Sequence, residues 1–452
     1  MADRFSLPEV GPLATVRFPA IARSTLPNGV RLWCIERHQT PAVTAALVIH
    51  HGTSADPSDR PGLTSFLADL LEEGAGGRDA IALADALARI GGLVTTESGS
   101  DATTIAITAL SRHFDRLLAL LVDLATRPHF EDDDFRRVRD LRRSRLRQLS
   151  QSASASADRA FIQAVFGPHP YGHGTLGTSA ALEGLTLDHV RRHWERTFAP
   201  SAATLILVGD LQAEAVFARA ASALGAWTDP ADSLSTLAES PVPHGAPDVL
   251  VVDRPGASQS ELRLGHLGPP RTVPGYHAIA ALNALLGGQF TSRINRNLRE
   301  TRGITYGAST SFDMRRRGGS FCCLTGVQSS ATALAVSEIL SEISAVRSEG
   351  AIAAGELDRA RAGLTRGYVR QFETTAQLAR AAVILVTYEL PDDTFDRFVP
   401  GVERVTVDDV TAAARQHLHP DRAVVVIVGD EARCHADLET LGRTVRTISP
   451  EF

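Results

Sequence analysis

The hydrophobic and polar positions of this chain repeat across its two halves. An amphipathic helix pattern followed by an unbroken apolar run occurs at residues 185–210 and again at residues 405–430. The two segments lie 220 residues apart without a gap, so Thr186 corresponds to Thr406. In each segment a Thr precedes a helix with acid in its first turn, and a β-branched run then predicts a strand. A repeat of half the chain length indicates a duplicated domain rather than a solenoid.

The openings of the two halves correspond more loosely. Residues 45–74 and 260–289 each read as a strand, a polar loop, a Gly and an apolar-striped helix. A stretch rich in Pro, Ser and Asp separates the halves, which predicts a linker at 228–247 between domains at 1–227 and 248–452. We expect an α+β fold of two homologous tandem halves, each a mixed or antiparallel sheet covered on one face by helices. Two unrelated domains with coincidental matches are the alternative.

Composition and charge exclude several classes. The 452 residues are 44% hydrophobic and 22% charged, with a net charge of −6 and a pI of about 6.2, which disfavours a nucleic-acid binder. No apolar run is long enough to span a membrane, and the N-terminus lacks a signal-peptide pattern. We therefore expect a cytoplasmic protein, with a mature periplasmic form as the alternative. Four scattered cysteines predict unpaired thiols.

The helix predicted after Gly62 carries an unusual polar face. Ser65, Ala68 and Asp69 stand at i, i+3 and i+4 and therefore share that face. Two His at i and i+4 with a Glu beside one of them would bind zinc and activate water. A hydroxyl, a methyl and one carboxylate cannot do so, and the sequence predicts no catalytic zinc here.

The run from His50 to Gly92, with HHGTSADPSDRPGLTSFLADLLEEG at its start, resembles the opening of the M16 family of pitrilysin, insulinase and mitochondrial processing peptidase. The HPYG turn at residues 169–172 adds to the resemblance. It implies the LuxS/metallohydrolase-like fold of that family, with a degenerate HxxEH zinc motif. Ser65 would stand for the first His ligand, Ala68 for the general-base Glu and Asp69 for the second His. Gln148 would stand for the Glu that is the third ligand.

The same resemblance singles out two residues in the second half. In the segment LLGGQFTSRINRNLRETRGITYGASTSF, Arg299 and Tyr306 match an Arg and a Tyr of the family that contact the substrate peptide and its developing oxyanion. A guanidinium and a phenol are both strong donors to such an oxygen. The alternative is structural: Arg299 pairs with a nearby acid, and Tyr306 is a strand residue with a satisfied hydroxyl.

The resemblance implies a non-catalytic subunit of a heterodimeric M16 zinc metallopeptidase. We expect a homologous HxxEH-bearing partner that holds the zinc, a peptide substrate, and no cofactor, nucleic acid or membrane for this chain. A homodimeric scaffold without a proteolytic role and a peptidase with a relocated metal site are the alternatives. We interpret the arginines between Arg136 and Arg147 as a solvated helix face and Arg315–Arg317 as a hairpin tip. Structural roles are expected for His50, His51, His169 and His173.

Overall fold

The computed structural model describes residue 11 and residues 15–230 and 248–450. Most of the linker predicted at 228–247 lies outside the described residues, and the domain boundaries at 227 and 248 stay a prediction. The described part folds around two six-stranded sheets, one in each half. It therefore confirms the α+β architecture with mixed sheets.

The first half contains eight strands and eight helices within the described residues. Its strands are β1 (Ala22–Thr25), β2 (Arg31–Glu36), β3 (Ala42–Ile49), β4 (Gly74–Ala75), β5 (Arg78–Asp79), β6 (Leu93–Ser98), β7 (Thr103–Leu110) and β8 (Ala203–Gly209). Its helices are α1 (Leu63–Leu71), α2 (Ala80–Ala88), α3 (Phe114–Thr126), α4 (Asp132–Ser150), α5 (Ala153–Phe166), α6 (Ser179–Glu183), α7 (Leu187–Thr197) and α8 (Ala213–Leu224).

The second half, as far as it is described, contains six strands and eight helices. Its strands are β9 (Val249–Asp253), β10 (Gln259–Gly268), β11 (Thr305–Met314), β12 (Gly319–Gln328), β13 (Val424–Gly429) and β14 (Val445–Thr447). Its helices are α9 (Tyr276–Asn283), α10 (Arg293–Asn295), α11 (Thr332–Ala345), α12 (Ala354–Thr365), α13 (Thr375–Thr387), α14 (Phe398–Arg404), α15 (Val407–His417) and α16 (Glu431–Glu439). Two π-helical turns, Ala284–Gly288 and Arg296–Thr301, flank α10.

The two sheets have matching strand orders, β1-β2-β8-β3-β7-β6 and β14-β9-β13-β10-β12-β11. In both, a parallel pair (β2 with β8, or β9 with β13) adjoins a run of antiparallel pairs. The edge strands differ, because β1 pairs with β2 antiparallel and β14 pairs with β9 parallel. The helices of the repeated segment are both capped as predicted, by Thr186 in α7 and Thr406 in α15. These matches support a tandem duplication, which stays an inference from pattern and topology.

The halves exchange helices, which the sequence pattern did not predict. The face of the first sheet that its own helices leave free is covered by α13 from the second half, and α5 covers the second sheet in return. The expectation of helices on one face only was therefore wrong. Two-sided cover explains why β8 and β13 are buried at every position, because a strand packed on both faces needs a continuous apolar run.

The cysteines are free thiols, as the sequence predicted. Cys34, Cys323 and Cys434 are buried and Cys322 is partly buried, and none of the four forms a disulfide. Burial raises the pKa of the Cys34 thiol to about 12, so this side chain behaves as a small apolar core group.

Candidate functional site

The N-terminus of α1 is fixed by a buried carboxylate. Gly62 adopts a left-handed conformation with φ of 91°. The Asp56 carboxylate accepts hydrogen bonds from the Gly62 amide at 2.6 Å and from the Thr64 amide at 2.7 Å. Both are amides that a helix start leaves without an intrahelical partner. Burial raises the pKa of Asp56. The helix that carries the degenerate motif therefore begins at a well-defined point and angle.

The structure confirms that Ser65, Ala68 and Asp69 lie on one turn of α1. Ser65 and Ala68 are buried, whereas the Asp69 side chain is 53% exposed. The Ser65 hydroxyl donates to the carbonyl oxygen of Thr175 at 2.6 Å, so its proton is already engaged. The face is therefore packed and hydrogen-bonded and is not an open metal pocket.

A residue that the sequence interpretation passed over completes this face. Arg142 of α4 is 4% exposed, and its Nη1 donates to Ser65 Oγ at 2.8 Å while its Nη2 pairs with Asp69 Oδ2. Its Cζ also lies 5.7 Å from the centroid of the Phe66 ring. One guanidinium thus bridges the two residues at the positions that, by the family resemblance, would be the His ligands.

Gln148 does not lie on this face. It is exposed on α4, and its Oε1 accepts a hydrogen bond from Arg145 Nη1 at 2.7 Å. Six residues separate it from Arg142, which turns it by about 240° around the helix axis because each residue advances about 100°. The α4 side chain that meets the degenerate motif is Arg142. The assignment of Gln148 to the third-ligand position is not supported by its placement.

These residues do not fit zinc. A metal site of the expected kind needs neutral imidazoles and carboxylates converging on one point, with distances near 2 Å. Here a cationic side chain without lone pairs stands between the hydroxyl and the carboxylate. In the described parts of the chain, no three His, Cys, Asp or Glu side chains are grouped so that they could hold a metal ion.

The histidines near α1 are part of the packed structure. Burial lowers the pKa of His193 to about 3, and its Nε2 lies 2.8 Å from Thr64 Oγ1. His50 behaves similarly, with its pKa lowered by burial to about 3 and its Nε2 3.0 Å from Thr204 Oγ1. His169 Nδ1 accepts from the amide of Tyr171 at 3.0 Å. The rings of His193 and His50 are therefore neutral at physiological pH, and all three rings make hydrogen bonds within the fold.

The second candidate site lies where β11 begins. Between Thr305 and Ala308 the pairing of β11 with β12 shifts register, and Tyr306 lies in this bulge with 92% of its surface exposed. The Asn295 side chain fixes the bulge: its Nδ2 donates to the Ala308 carbonyl at 2.6 Å, and its Oδ1 accepts from the Ala308 amide at 2.9 Å. Bulges re-aim side chains beside functional sites, and this one directs a phenol into solvent.

Arg299 lies in the π-helical turn that packs against β11. Its Cζ is 3.4 Å from the centroid of the Phe290 ring, and its Nη2 donates to Glu300 Oε1 at 2.8 Å. The pairing with a nearby acid is thus present, as the structural alternative expects. However, Nη1 of Arg299 is buried and has no hydrogen-bond partner among the described residues. Phe290 itself is 70% exposed.

Both basic runs have structural roles. Three of the seven arginines of α4, namely Arg136, Arg137 and Arg143, pair with acids on the surface, whereas Arg142 is buried and does not fit the expected solvated face. The hairpin tip after β11 docks on the first half, where Arg315 stacks 4.9 Å from the ring centroids of both Phe166 and Tyr171. The tip therefore joins the two halves.

Comparison with known proteins is consistent with this arrangement. Residues 31–179 match the family described as "Insulinase (Peptidase family M16)", and residues 184–364 match "Peptidase M16 inactive domain". The chain belongs to the M16 peptidase family. In the described ranges, no helix has both the length and the apolar character to cross a bilayer.

Relatives of this chain include both named proteases and named non-peptidases. An uncharacterized zinc protease of Mycobacterium leprae is 24% identical over 95% of this chain and 95% of its own length. The non-peptidase homologue YmxG of Helicobacter pylori is 22% identical over 42% of this chain and 44% of its own length. The crystal structure of a peptidase M16 inactive domain from Pseudomonas fluorescens superposes with a TM-score of 0.84 at 23% identity, covering 91% of this chain and 98% of that one.

Proposed function

We propose that this chain is the non-catalytic, peptide-binding subunit of a heterodimeric M16 metallopeptidase. The observation that carries the proposal is the contrast between its two sites. The α1 face is closed by Arg142, whereas Tyr306 is 92% exposed and Arg299 has a buried donor that finds no partner in the described part of the chain. A chain with these two features cannot supply the zinc-bound hydroxide that attacks a peptide bond, but it retains hydrogen-bond donors that can hold a peptide.

The chemistry of the second site suits a peptide carbonyl. The phenol of Tyr306 and the guanidinium of Arg299 both donate hydrogen bonds, and neither can serve as a base at neutral pH. Donors placed where charge develops on a carbonyl oxygen stabilise a tetrahedral intermediate. The attacking hydroxide would come from the zinc of a homologous HxxEH-bearing partner.

The strand that carries Tyr306 offers a way to bind an extended substrate. β11 is an edge strand, so the side of it away from β12 has no strand partner in the described structure. An extended peptide can add to such an edge through main-chain hydrogen bonds. We propose that the substrate lies along β11, with its scissile carbonyl near Tyr306. The cytoplasmic location stays a prediction.

Reconstitution tests the proposal. The chain and an HxxEH homologue from the same genome are purified separately. Peptide cleavage is then assayed for each protein alone and for the mixture. We expect activity only in the mixture, with a loss of about 10²-fold or more for Arg299→Ala and Tyr306→Phe, as when an oxyanion donor is removed. Arg302→Ala is the matched control, because Arg302 is 42% exposed and pairs with Glu338.

The same assay separates the rivals. A homodimeric scaffold predicts that the mixture is no faster than the homologue alone and that no complex co-purifies. A relocated metal site predicts cleavage by this chain alone with bound zinc. Wild-type rates for both the Arg299 and Tyr306 variants would contradict the proposal even if the two chains associate.

A further inference from the structure

The guanidinium of Arg142 occupies the centre of the degenerate motif. Ser65 and Asp69 are one helical turn apart, and the two terminal nitrogens of Arg142 reach one residue each. The Arg142 side chain is 2% exposed, so this cation lies inside the protein and not at its rim. We infer that Arg142 is a built-in cation that takes the place of a metal and keeps zinc out of the first half even when the missing ligands on α1 are restored.

The chain segment 175–177 packs against the same site. The Ser65 hydroxyl donates to the Thr175 carbonyl at 2.6 Å, and Arg142 Nη1 lies 3.4 Å from the Leu176 carbonyl oxygen. The next residue of this segment, Gly177, packs so closely that an added Cβ would lie 1.9 Å from the Pro61 carbonyl oxygen. This backbone segment therefore contacts both Ser65 and Arg142.

The charge arrangement also opposes a metal. Arg142 supplies the positive charge that Asp69 requires, so the pair is neutral as it stands. A divalent ion placed beside the guanidinium would meet a like charge in a region of low dielectric constant, where repulsion is strong. A guanidinium has no lone pair and keeps its proton at any accessible pH, so it cannot become a ligand. Restoring the missing ligands on α1 should therefore not restore zinc binding while Arg142 remains.

Zinc content tests this inference without any activity assay, so its outcome is independent of the proposed subunit role. The variant Ser65→His/Ala68→Glu/Asp69→His restores HxxEH on α1, and a second variant adds Arg142→Glu. A third adds Arg143→Glu instead, because Arg143 is the next arginine of α4 and pairs with Asp140 on the surface. Each folded variant is dialysed against zinc, then against buffer, and its metal is measured.

We expect zinc near background in the wild type, the triple variant and the Arg143 control, and about one ion per chain only when Arg142 is replaced. Zinc in the triple variant at the level of the Arg142→Glu variant would overturn the inference, as would equal binding by the Arg143 control. Wild-type crystals soaked in zinc give a test that needs no substitution. Arg142 should stay hydrogen-bonded to Ser65, and zinc seated against Ser65 and Asp69 would refute the claim.

Discussion

The pair formed by Asp69 and Arg142 should respond unequally to the loss of each partner. The Arg142 side chain is 2% exposed and the Asp69 side chain is 53% exposed, so the two charges differ in their access to water. Asp69→Ala leaves a buried cation whose described neighbours include a hydroxyl, a carbonyl oxygen and the Phe66 ring but no counter-charge. Arg142→Met leaves a carboxylate that water can hydrate, while methionine fills much of the vacated volume. We therefore predict that Asp69→Ala is the more destabilising change.

The magnitudes follow from burial and screening. Two unit charges about 4 Å apart attract by about 4 kcal/mol at an effective dielectric constant of about 20. The half-exposed carboxylate lowers this, and we expect Asp69→Ala to cost about 2–3 kcal/mol. Arg142→Met should cost about 1 kcal/mol, because the Ser65 proton keeps its acceptor on Thr175. Arg143→Met, which removes a surface pair, should change stability by less than about 0.5 kcal/mol.

Urea denaturation followed by circular dichroism measures these differences. The double variant Asp69→Ala/Arg142→Met should be more stable than Asp69→Ala alone, because it removes the stranded cation, and this non-additivity is the signature of direct coupling. If Arg142→Met costs as much as Asp69→Ala, or if the two effects simply add, then Arg142 is not a buried cation neutralised by Asp69.

Two further predictions concern the surroundings of this site. Burial lowers the pKa of His193 to about 3, whereas its value in the unfolded chain is about 6.5. Between these values the unfolded state binds one more proton than the folded state, so the contribution of His193 to stability is lost as pH falls below about 6.5. His193→Gln should reduce the slope of unfolding free energy against pH between about 4 and 6 by about 1.4 kcal/mol per unit, and an unchanged slope would contradict a neutral buried ring. Gly177 and Gly256 both have positive φ, of 73° and 80°, but only at Gly177 would a Cβ meet backbone. Gly177→Ala should therefore cost about 1–3 kcal/mol more than Gly256→Ala in thermal or urea denaturation, and equal costs would show that the close approach to Pro61 is not a constraint.

Much of the fold could be predicted because periodic patterns carry it. The helices capped by Thr186 and Thr406 were readable from a Thr, an acid and an apolar stripe. The exchange of α5 and α13 between the halves could not be predicted. The sequence of a strand indicates that both of its faces are buried, but it does not indicate which helix covers each face. The continuous apolar run in β8 was the available signal for two-sided cover.

The candidate site divides in the same way. Helical geometry predicted that Ser65 and Asp69 lie on one face of α1, because they are four residues apart. Arg142 was missed because it stands within an arginine-rich run that reads as a solvated surface. A closer reading of spacing could have found it, because Phe135, Val138 and Leu146 form the buried stripe of α4 and position 142 falls on that stripe. The exposure of Tyr306 depends on a bulge that long-range contacts of Asn295 hold, which local sequence does not encode.

A titration of an HxxEH-bearing homologue with this chain, monitored by peptide cleavage, tests the proposed subunit role most directly. We expect no cleavage by this chain alone, a linear rise in rate as it is added, and a break at about one chain per homologue, as expected for a two-subunit site. A rate that stays flat throughout the titration, or cleavage by this chain alone, would contradict it.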